Sequence, residues 1–300
     1  MIRIGVVGYG YWGPNIVRNF SQLAHVTVSW ICDVNKKTIE HINRQYPAAQ
    51  KTVQYRDVLN DATTDAVVIA TPTSTHFAIA KEAILRGKHV LVEKPMTQTT
   101  QEAQTLVTLA KRKKKILMVD HTFIYTAAIQ KIKTILSQKQ LGNVFYVDCV
   151  RANLGLLQKD ANVIYDLATH DFSIMDYLFK CSPQAVSATG IHLAHSNQEA
   201  VAYVTVQYPH HLYVHSHVSW LSPVKIRRIT FTGTQKMLMY DDEEPTEKVK
   251  IYDKSILVNK DPSQQYQLRV GYRIGSTVSP HIEVQEGLAG VTYAFVQAIK

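Results

Sequence analysis

Three glycines near the start of the chain follow an apolar run, residues 2–7, that predicts a buried strand. Their spacing, Gly-x-Gly-x-x-Gly, is that of a dinucleotide-binding turn. One glycine makes the turn, one lets the backbone approach a pyrophosphate, and one lets helix and strand pack closely. The helix predicted after them directs free N–H groups at the phosphates. The residues predicted to bind the dinucleotide here are Gly8, Gly10, Tyr11, Trp12 and Gly13.

An acidic residue stands where such a turn needs one. The second predicted strand, Val26–Cys32, ends in Asp33, roughly 20 residues after the glycines, where an acid binds the adenine ribose hydroxyls. A carboxylate there repels a 2′-phosphate, which favours NAD over NADP, while Lys36 and Lys37 leave NADP open as the alternative. The other interpretation of Asp33 is an ordinary helix cap.

Strands and amphipathic helices continue to alternate as far as residue 119, which is typical of a doubly wound parallel sheet of the Rossmann type. The apolar runs 66–70 and 89–92 suit the centre of that sheet. Because ligands bind beyond the carboxyl ends of such strands, we expect the loops 71–76 and 93–95 to meet the glycine turn in one crevice.

Length and composition limit the class of protein. The chain has 300 residues, a net charge of +9 and three widely spaced cysteines. This predicts two domains, residues 1–120 and 121–300, in a cytoplasmic protein without a disulfide framework, metal site, signal peptide or membrane span. The basic run 111–115 closes a predicted helix, which favours a solvated helix end over nucleic-acid binding.

The pattern changes after residue 120. Asp166 and His170 are four residues apart and share one face of a predicted helix. The strands that follow alternate in hydrophobicity, which predicts an α+β domain with a large, mostly antiparallel open sheet. One of these strands places Tyr213, His215 and His217 on a single face. Since no cysteine or acid accompanies them in the sequence, a polar sheet or interface face is favoured over a zinc site.

Two motifs together resemble the glucose–fructose oxidoreductase, inositol dehydrogenase and rhizopine catabolism (Gfo/Idh/MocA) family. They are the glycine turn and the segment Gly-Lys-His-Val-Leu-Val-Glu-Lys-Pro over residues 87–95. The resemblance covers essentially the whole chain and implies that Lys94 contacts both the substrate and the nicotinamide ribose. It also implies a cis peptide bond before Pro95 and a cofactor lined by Thr71, Pro72, Thr73, His76, Glu93 and Lys94. By itself, Lys94 would be a solvated lysine at a strand end.

The resemblance also gives the Asp-x-x-x-His helix a chemical role. His170 corresponds to the residue that exchanges the hydroxyl proton, and Asp166 to its polar neighbour. Oxidation of a secondary alcohol requires hydride transfer to nicotinamide and loss of a proton. A histidine that titrates near neutrality suits the proton step, and Lys94 can stabilise the developing alkoxide. Without the resemblance, a capping aspartate with an incidental histidine explains the pattern as well.

The order Arg-x-Asn and then Asp-x-x-x-His resembles family members that act on nucleotide-linked sugars, such as the WlbA-type sugar-nucleotide dehydrogenases. Arg151 would then meet a carboxylate or phosphate, with Asn153 and Tyr125 as further substrate-binding residues. A surface arginine on a strand is the alternative for Arg151. Members of the family usually extend beyond a helix like 292–300, whereas this chain stops at Lys300.

The predicted function is an NAD-dependent oxidoreductase that acts on a secondary hydroxyl, or the matching ketone, of a sugar or sugar nucleotide. The alternatives are an inositol or free-sugar dehydrogenase and, from another class, a non-catalytic dinucleotide-binding regulator. The family pairs subunits through the open face of the second sheet, which implies a homodimer or homotetramer.

Overall fold

The computed structural model describes residues 1–155, 161–193, 198–257, 271–283 and 285–300. The chain divides into two compact units, Met1–Tyr125 with Gln285–Lys300, and Thr126–Val284. Residues 121–125 and the last helix therefore belong to the first unit, in contrast to the predicted division into 1–120 and 121–300.

The first unit contains a six-stranded parallel sheet with the order β3-β2-β1-β4-β5-β6. The predicted doubly wound sheet is confirmed, and the order of its strands reverses between β1 and β4. The strands are β1 (Ile2–Val7), β2 (Val26–Cys32), β3 (Gln50–Thr52), β4 (Ala66–Ile69), β5 (His89–Val92) and β6 (Leu117–Val119). The helices are α1 (Gly13–Ser21), α2 (Lys36–Gln45), α3 (Tyr55–Asn60), α4 (Thr73–Leu85) and α5 (Thr100–Lys113).

Side-chain alternation along β1 explains why helices cover both faces of this sheet. Ile4 and Val6 pack into the same cluster as Phe20 of α1. Val7 belongs to the opposite cluster, which includes Ile79 of α4. Because successive side chains of a strand point to opposite faces, a continuous apolar run is what a strand buried on both faces requires.

The last helix, α8 (Gly287–Ile299), completes the core of the first unit. Its Val291 and Phe295 are fully buried in the cluster that contains Phe20. The rings of Phe295 and Phe20 pack edge to face at a centroid distance of 6.4 Å. Just before the helix, a carboxylate oxygen of Glu286 accepts a hydrogen bond from Arg18 at 2.7 Å. The apolar periodicity of this helix predicts burial but does not indicate which core it joins.

The second unit contains an eight-stranded sheet with the order β14-β13-β12-β11-β7-β10-β9-β8. Only the described pair β7 and β10 is parallel, so the predicted mostly antiparallel sheet is confirmed. The strands are β7 (Val144–Leu154), β8 (Ala185–His192), β9 (Glu199–Tyr208), β10 (Leu212–Ser219), β11 (Leu221–Gly233), β12 (Met237–Asp241), β13 (Val249–Leu257) and β14 (Gly271–Val278). The helices of this unit are α6 (Ala127–Ser137) and α7 (Thr169–Phe179).

Strand β9 shows how this sheet divides into a covered and an open face. Ala202 and Val204 are buried, whereas Tyr203 between them is 41% exposed. This period of two is the alternation that the sequence shows. None of the described helices combines the length and apolar character that crossing a membrane requires.

The packing of α8 leads to a test of the division into units. Replacing Phe295 by Ala removes a fully buried ring from the first core, and we expect a loss of about 3–5 kcal/mol in the free energy of unfolding. Replacing Tyr293, which is 58% exposed on the same helix, by Ala should lower the free energy of unfolding by less than about 0.5 kcal/mol. Urea unfolding measures both, and equal costs for the two variants would contradict the placement of α8.

Candidate cofactor and active site

The glycine turn is built to approach a ligand closely at one position. A Cβ atom added to Gly13 would lie 2.6 Å from the carbonyl oxygen of Gly8, and one added to Gly8 would lie 2.4 Å from the carbonyl oxygen of Ala70. Gly8 also has a φ of +98°, which L side chains rarely adopt. By contrast, no atom lies within 4 Å of a Cβ added to Gly10. Gly8 and Gly13 therefore serve the turn itself, and Gly10 keeps a space open.

Helix α1 presents its amino end to that space. Its N-cap residue, Trp12, makes no side-chain hydrogen bond to the helix. The first N–H groups of α1 are therefore not capped by this side chain, as an anion-binding helix end requires. Tyr11 is 85% exposed and Trp12 is 42% exposed, and their rings pack edge to face. The turn thus fits the pyrophosphate of a dinucleotide.

Asp33 holds the glycine turn against the end of β2. One carboxylate oxygen accepts the backbone N–H of Tyr9 at 2.8 Å, and the other accepts the N–H of Asn35 at 2.8 Å. The side chain that caps α2 is Asn35, which accepts the N–H of Lys37, so Asp33 is not the helix cap. An ionised carboxylate has about four acceptor sites, so ribose hydroxyls can still bind Asp33.

A cavity of about 540 Å³ opens between the glycine turn and α2. Its lining includes Tyr9 from the turn and Lys37, Thr38 and His41 from α2. Basic groups here would attract a phosphate, whereas Asp33 at the end of β2 would repel one. The region therefore contains both features on which the choice between NAD and NADP depends.

The loop after β4 reaches the same edge of the sheet. Thr71 and Thr75 share a hydrogen bond of 2.6 Å between their hydroxyls, and α4 begins at Thr73 directly after the exposed Pro72. His76 is only 1% exposed. Its Nε2 lies 2.8 Å from the carbonyl oxygen of Thr71.

The other ring nitrogen of His76, Nδ1, lies 3.0 Å from the carbonyl oxygen of Pro95. His76 therefore ties the loop after β4 to the loop after β5. The buried ring thus helps to position both loops, and the cofactor-lining role that the resemblance implies for His76 stays a prediction.

Lys94 is the second residue beyond β5, beside the loop after β4. It is half-buried, and the Lys94–Pro95 peptide bond is cis, as the resemblance implied. Sheet order places β5 next to β4 and β4 next to β1. The glycine turn, Asp33 and the loops that contain Thr71 and Lys94 therefore all lie at the carboxyl edge of the first sheet.

Glu93 lies beside Asp120, a residue that the sequence motifs do not include. Asp120 follows β6 as Glu93 follows β5, and their side chains lie within hydrogen-bonding reach of each other. Burial, followed by the charge of Asp120, raises the pKa of Glu93 to about 8. Burial also raises the pKa of Asp120. The sequence signal that could have identified Asp120 is its position at the end of a predicted strand.

In the second unit, Asp166 and His170 do not lie on one continuous α-helix. Residues Ile164–Ala168 form a π-helical turn, and α7 begins at Thr169. Single π-helical turns are frequent at functional sites. The helix-capping alternative for Asp166 does not hold, since Asn162 is the side chain that accepts the N–H of Tyr165.

Asp166 has a fixed partner within the second unit. Its carboxylate accepts a hydrogen bond of 3.0 Å from the indole N–H of Trp220, which is 2% exposed. His170, in the first turn of α7, is half-buried. Lys94 belongs to the first unit and these two residues to the second, so their cooperation in one reaction stays a prediction.

Arg151 is buried in an ion pair. It is 4% exposed and its Nε donates to Asp171 at 2.5 Å, while the hydroxyl of Ser216 donates to the other carboxylate oxygen at 3.0 Å. Burial contradicts the surface-strand alternative, and the substrate-binding role of Arg151 stays a prediction. Asn153 is partly exposed on the same strand. Tyr125 lies in the first unit, packed against Gly290 of α8.

The histidine strand has an acidic neighbour that the sequence did not indicate. His215 lies 3.1 Å from a carboxylate oxygen of Asp148 on the adjacent strand β7. His217 stacks on Tyr203 with a centroid distance of 4.6 Å. In the part of the chain that the structure describes, no three His, Cys, Asp or Glu side chains converge as metal ligands would.

Family models match both units of the chain. The model of the oxidoreductase family with an NAD-binding Rossmann fold matches residues 2–121, and the GFO/IDH/MocA C-terminal domain model matches residues 129–239. The chain belongs to the Gfo/Idh/MocA family. The resemblance noted in the sequence is confirmed, and residues 2–121 are the NAD-binding Rossmann domain of that family.

Relatives within the Gfo/Idh/MocA family include named dehydrogenases. UDP-N-acetylglucosamine 3-dehydrogenase from Acidithiobacillus ferrooxidans is 30% identical over 63% of this chain and 58% of its own length. The NADP(+) scyllo-inositol 2-dehydrogenase of Bacillus subtilis is 28% identical over 67% of this chain and 58% of its own. The matched region thus spans less than two thirds of these curated relatives.

A solved structure extends the likeness over the whole fold. The crystal structure of UDP-N-acetylglucosamine 3-dehydrogenase from Acidithiobacillus ferrooxidans aligns with a TM-score of 0.81 and 25% sequence identity. The alignment covers 99% of this chain and 88% of that chain.

The open space at Gly10 leads to a test of the cofactor site. Replacing Gly10 by Ala adds a methyl group that meets no protein atom, so the midpoint of urea unfolding should stay unchanged while NADH affinity, measured by fluorescence titration, falls at least about tenfold. Replacing Gly8 by Ala should lower stability, because its Cβ meets the backbone of Ala70. Unchanged NADH affinity in the Gly10 variant would refute the assignment of the turn.

The buried position of Arg151 predicts a structural role. Replacing it by Ala leaves the Asp171 carboxylate buried without its cation, and we expect a loss of about 3–5 kcal/mol in the free energy of unfolding. Arg228 on the neighbouring strand β11 pairs with Asp241 at an exposed position, and Arg228→Ala should cost less than about 1 kcal/mol. A loss as small as that of Arg228→Ala in the same denaturation assay would contradict this structural role of Arg151.

Proposed function

We propose that the protein is an NAD-dependent oxidoreductase that transfers hydride between nicotinamide and a secondary alcohol or ketone of a sugar nucleotide. The observation that carries this proposal is the common sheet edge, where the glycine turn after β1 and Lys94 after β5 lie on either side of the loop after β4. This arrangement supports a nicotinamide end of the cofactor near Lys94, in a chain that belongs to an oxidoreductase family.

The chain's own residues supply binding, orientation and proton transfer. Bound NAD supplies the hydride acceptor at its nicotinamide ring. The ammonium of Lys94 donates a hydrogen bond to the substrate oxygen and stabilises the negative charge that develops there. The imidazole of His170 takes the hydroxyl proton during oxidation and returns it during reduction. Asp166, held by the indole of Trp220, is the polar neighbour of this histidine on the turn before α7.

The substrate class rests on the relatives. A UDP-N-acetylglucosamine 3-dehydrogenase covers nearly the whole fold of this chain, which supports a UDP-sugar oxidised at C3. The scyllo-inositol 2-dehydrogenase among the relatives favours an inositol as the second candidate. The predicted substrate contacts stay Tyr125, Asn153 and Arg151, of which Arg151 is buried in an ion pair with Asp171.

The proposal also covers the choice of cofactor, the pairing of subunits and the cellular compartment. Asp33 at the end of β2 supports NAD over NADP, since its carboxylate repels a 2′-phosphate. The open face of the second sheet, with partly exposed Tyr203 and Tyr213, supports pairing of subunits into a homodimer or homotetramer. The free cysteines Cys32 and Cys149 support a reducing cytoplasm.

An absorbance assay of reduced nicotinamide tests the activity. The purified protein is mixed with NAD or NADP and a panel that contains UDP-N-acetylglucosamine, UDP-N-acetylglucosaminuronate, free sugars and inositols. Lys94→Ala should lower turnover at least about a hundredfold, because it removes the charge that stabilises the alkoxide, and leave NADH affinity within a few-fold. Lys81→Ala, on an exposed face of α4, is the matched control and should be fully active.

Substrate outcomes separate the candidates. A signal with a UDP-sugar alone supports the sugar-nucleotide proposal, and a signal with inositols alone supports the second candidate. Cofactor binding without reduction by any member of the panel would contradict the proposed activity and favour a non-catalytic dinucleotide-binding protein.

A further inference from the structure

Two buried carboxyl groups lie behind Lys94 at the carboxyl edge of the first sheet. Glu93 is 9% exposed and Asp120 is 3% exposed. Their strands, β5 and β6, are parallel neighbours, and the N–H of Asp120 donates to the carbonyl oxygen of Val92 at 2.8 Å. This register places the two residues side by side at the first positions beyond the strands.

The adjacency of the two buried side chains limits the charge that the pair can carry. Two negative charges on neighbouring positions of a buried site repel each other strongly. The side chains lie within hydrogen-bonding reach, and because a carboxylate only accepts hydrogen bonds, they can bond to each other only when one of them carries a proton. The pair therefore titrates as a unit, with one charge over a wide range of pH.

We propose that Glu93 and Asp120 share one proton at neutral pH and act as a positioning pair that balances the ammonium of Lys94 with a single negative charge. This inference rests on the proposed function, in which Lys94 is the residue that binds the substrate oxygen. A second charge on the pair would oppose the developing alkoxide. The shared proton thus keeps the field of Lys94 directed at the substrate.

The surroundings of the pair support this assignment. Thr122 donates to a carboxylate oxygen of Asp120 at 2.6 Å, and the charge of Lys94 favours the ionised form of both acids. Burial, followed by the charge of Lys94, lowers the pKa of His121. From α4, the ring of His76 is held between the carbonyls of Thr71 and Pro95.

Proton linkage gives the direction of the effect on stability. The pKa of Glu93 is raised from an ordinary 4.5 to about 8, so the folded protein holds a proton that the unfolded chain releases above pH 4.5. The stabilisation is fully present below pH 4.5 and declines as the pH rises towards 8. The melting temperature should therefore fall between pH 5 and pH 8 by more in the wild type than in Asp120→Asn.

Infrared titration tests the shared proton without any substrate. The carbonyl stretch of a protonated carboxylic acid should be present in the wild type at pH 7 and disappear with a midpoint near pH 8. Asp120→Asn removes the like charge and provides an amide donor, which should lower the midpoint by about one pH unit or more. Thr122→Val removes a hydrogen-bond donor to the ionised form of Asp120 and should raise the midpoint. Glu93→Gln combined with Asp120→Asn should abolish the band, and the exposed Glu40→Gln should change nothing.

Turnover against pH provides the functional readout. With a substrate found in the panel, wild-type kcat should decline above about pH 8 as the second charge appears, and this decline should be absent in Asp120→Asn, whose pair never carries two charges. A wild type without an acid band at pH 7, or single variants that leave its midpoint unchanged, would overturn the proposal. Absence of turnover in all proteins with the expected infrared shifts would refute only the proposed activity.

Discussion

Parallel strands end at a common edge, and the first unit of this protein depends on that constraint. Residues that are far apart along the chain, at the ends of β1, β2, β4, β5 and β6, become neighbours because each strand runs in the same direction. The glycine turn, Asp33, Thr71 and Lys94 each follow one of these strands. Helices on both faces bury the strands, so that the strand ends are the part of the sheet available to a ligand.

The cost of this arrangement is that charged groups concentrate at an edge that is partly buried. Each of the described charges there is compensated locally. Asp33 accepts two backbone N–H groups, and the charge of Lys94 acts on the adjacent acids Glu93 and Asp120. Burial makes ionisation expensive, which is why the two acids differ so much from a carboxylate in water. The same desolvation strengthens the effect of Lys94 on any charge that develops near it.

The second unit uses buried polar contacts in a different way. Arg151 on β7, Asp171 on α7 and Ser216 on β10 join three elements through one carboxylate. Asp166 is bonded to the indole of Trp220, which follows β10. These contacts attach α7 and the π-helical turn before it to the sheet. The orientation of the segment that carries His170 therefore depends on interactions in the core, whose partners come from distant parts of the chain.

Local sequence was sufficient for the features that depend on short-range spacing. The glycines, the continuous apolar strands and the Glu-Lys-Pro segment predicted the Rossmann domain, because strand burial and turn geometry are determined by adjacent residues. Alternation predicted the antiparallel sheet for the same reason. These patterns also identified Lys94 and Asp33 at strand ends.

Tertiary structure alone decided which residues meet. Helix α8 has an apolar face that could join either core, and packing against Phe20 assigned it to the first unit. By sequence, Arg151 cannot be distinguished from an exposed strand residue. In the structure, its ion pair with Asp171 allows it to be buried. Asp120 lies next to Glu93 only because β6 pairs with β5 in this register. Contacts between residues distant in sequence depend on strand order and register, which the local pattern of a single chain does not encode.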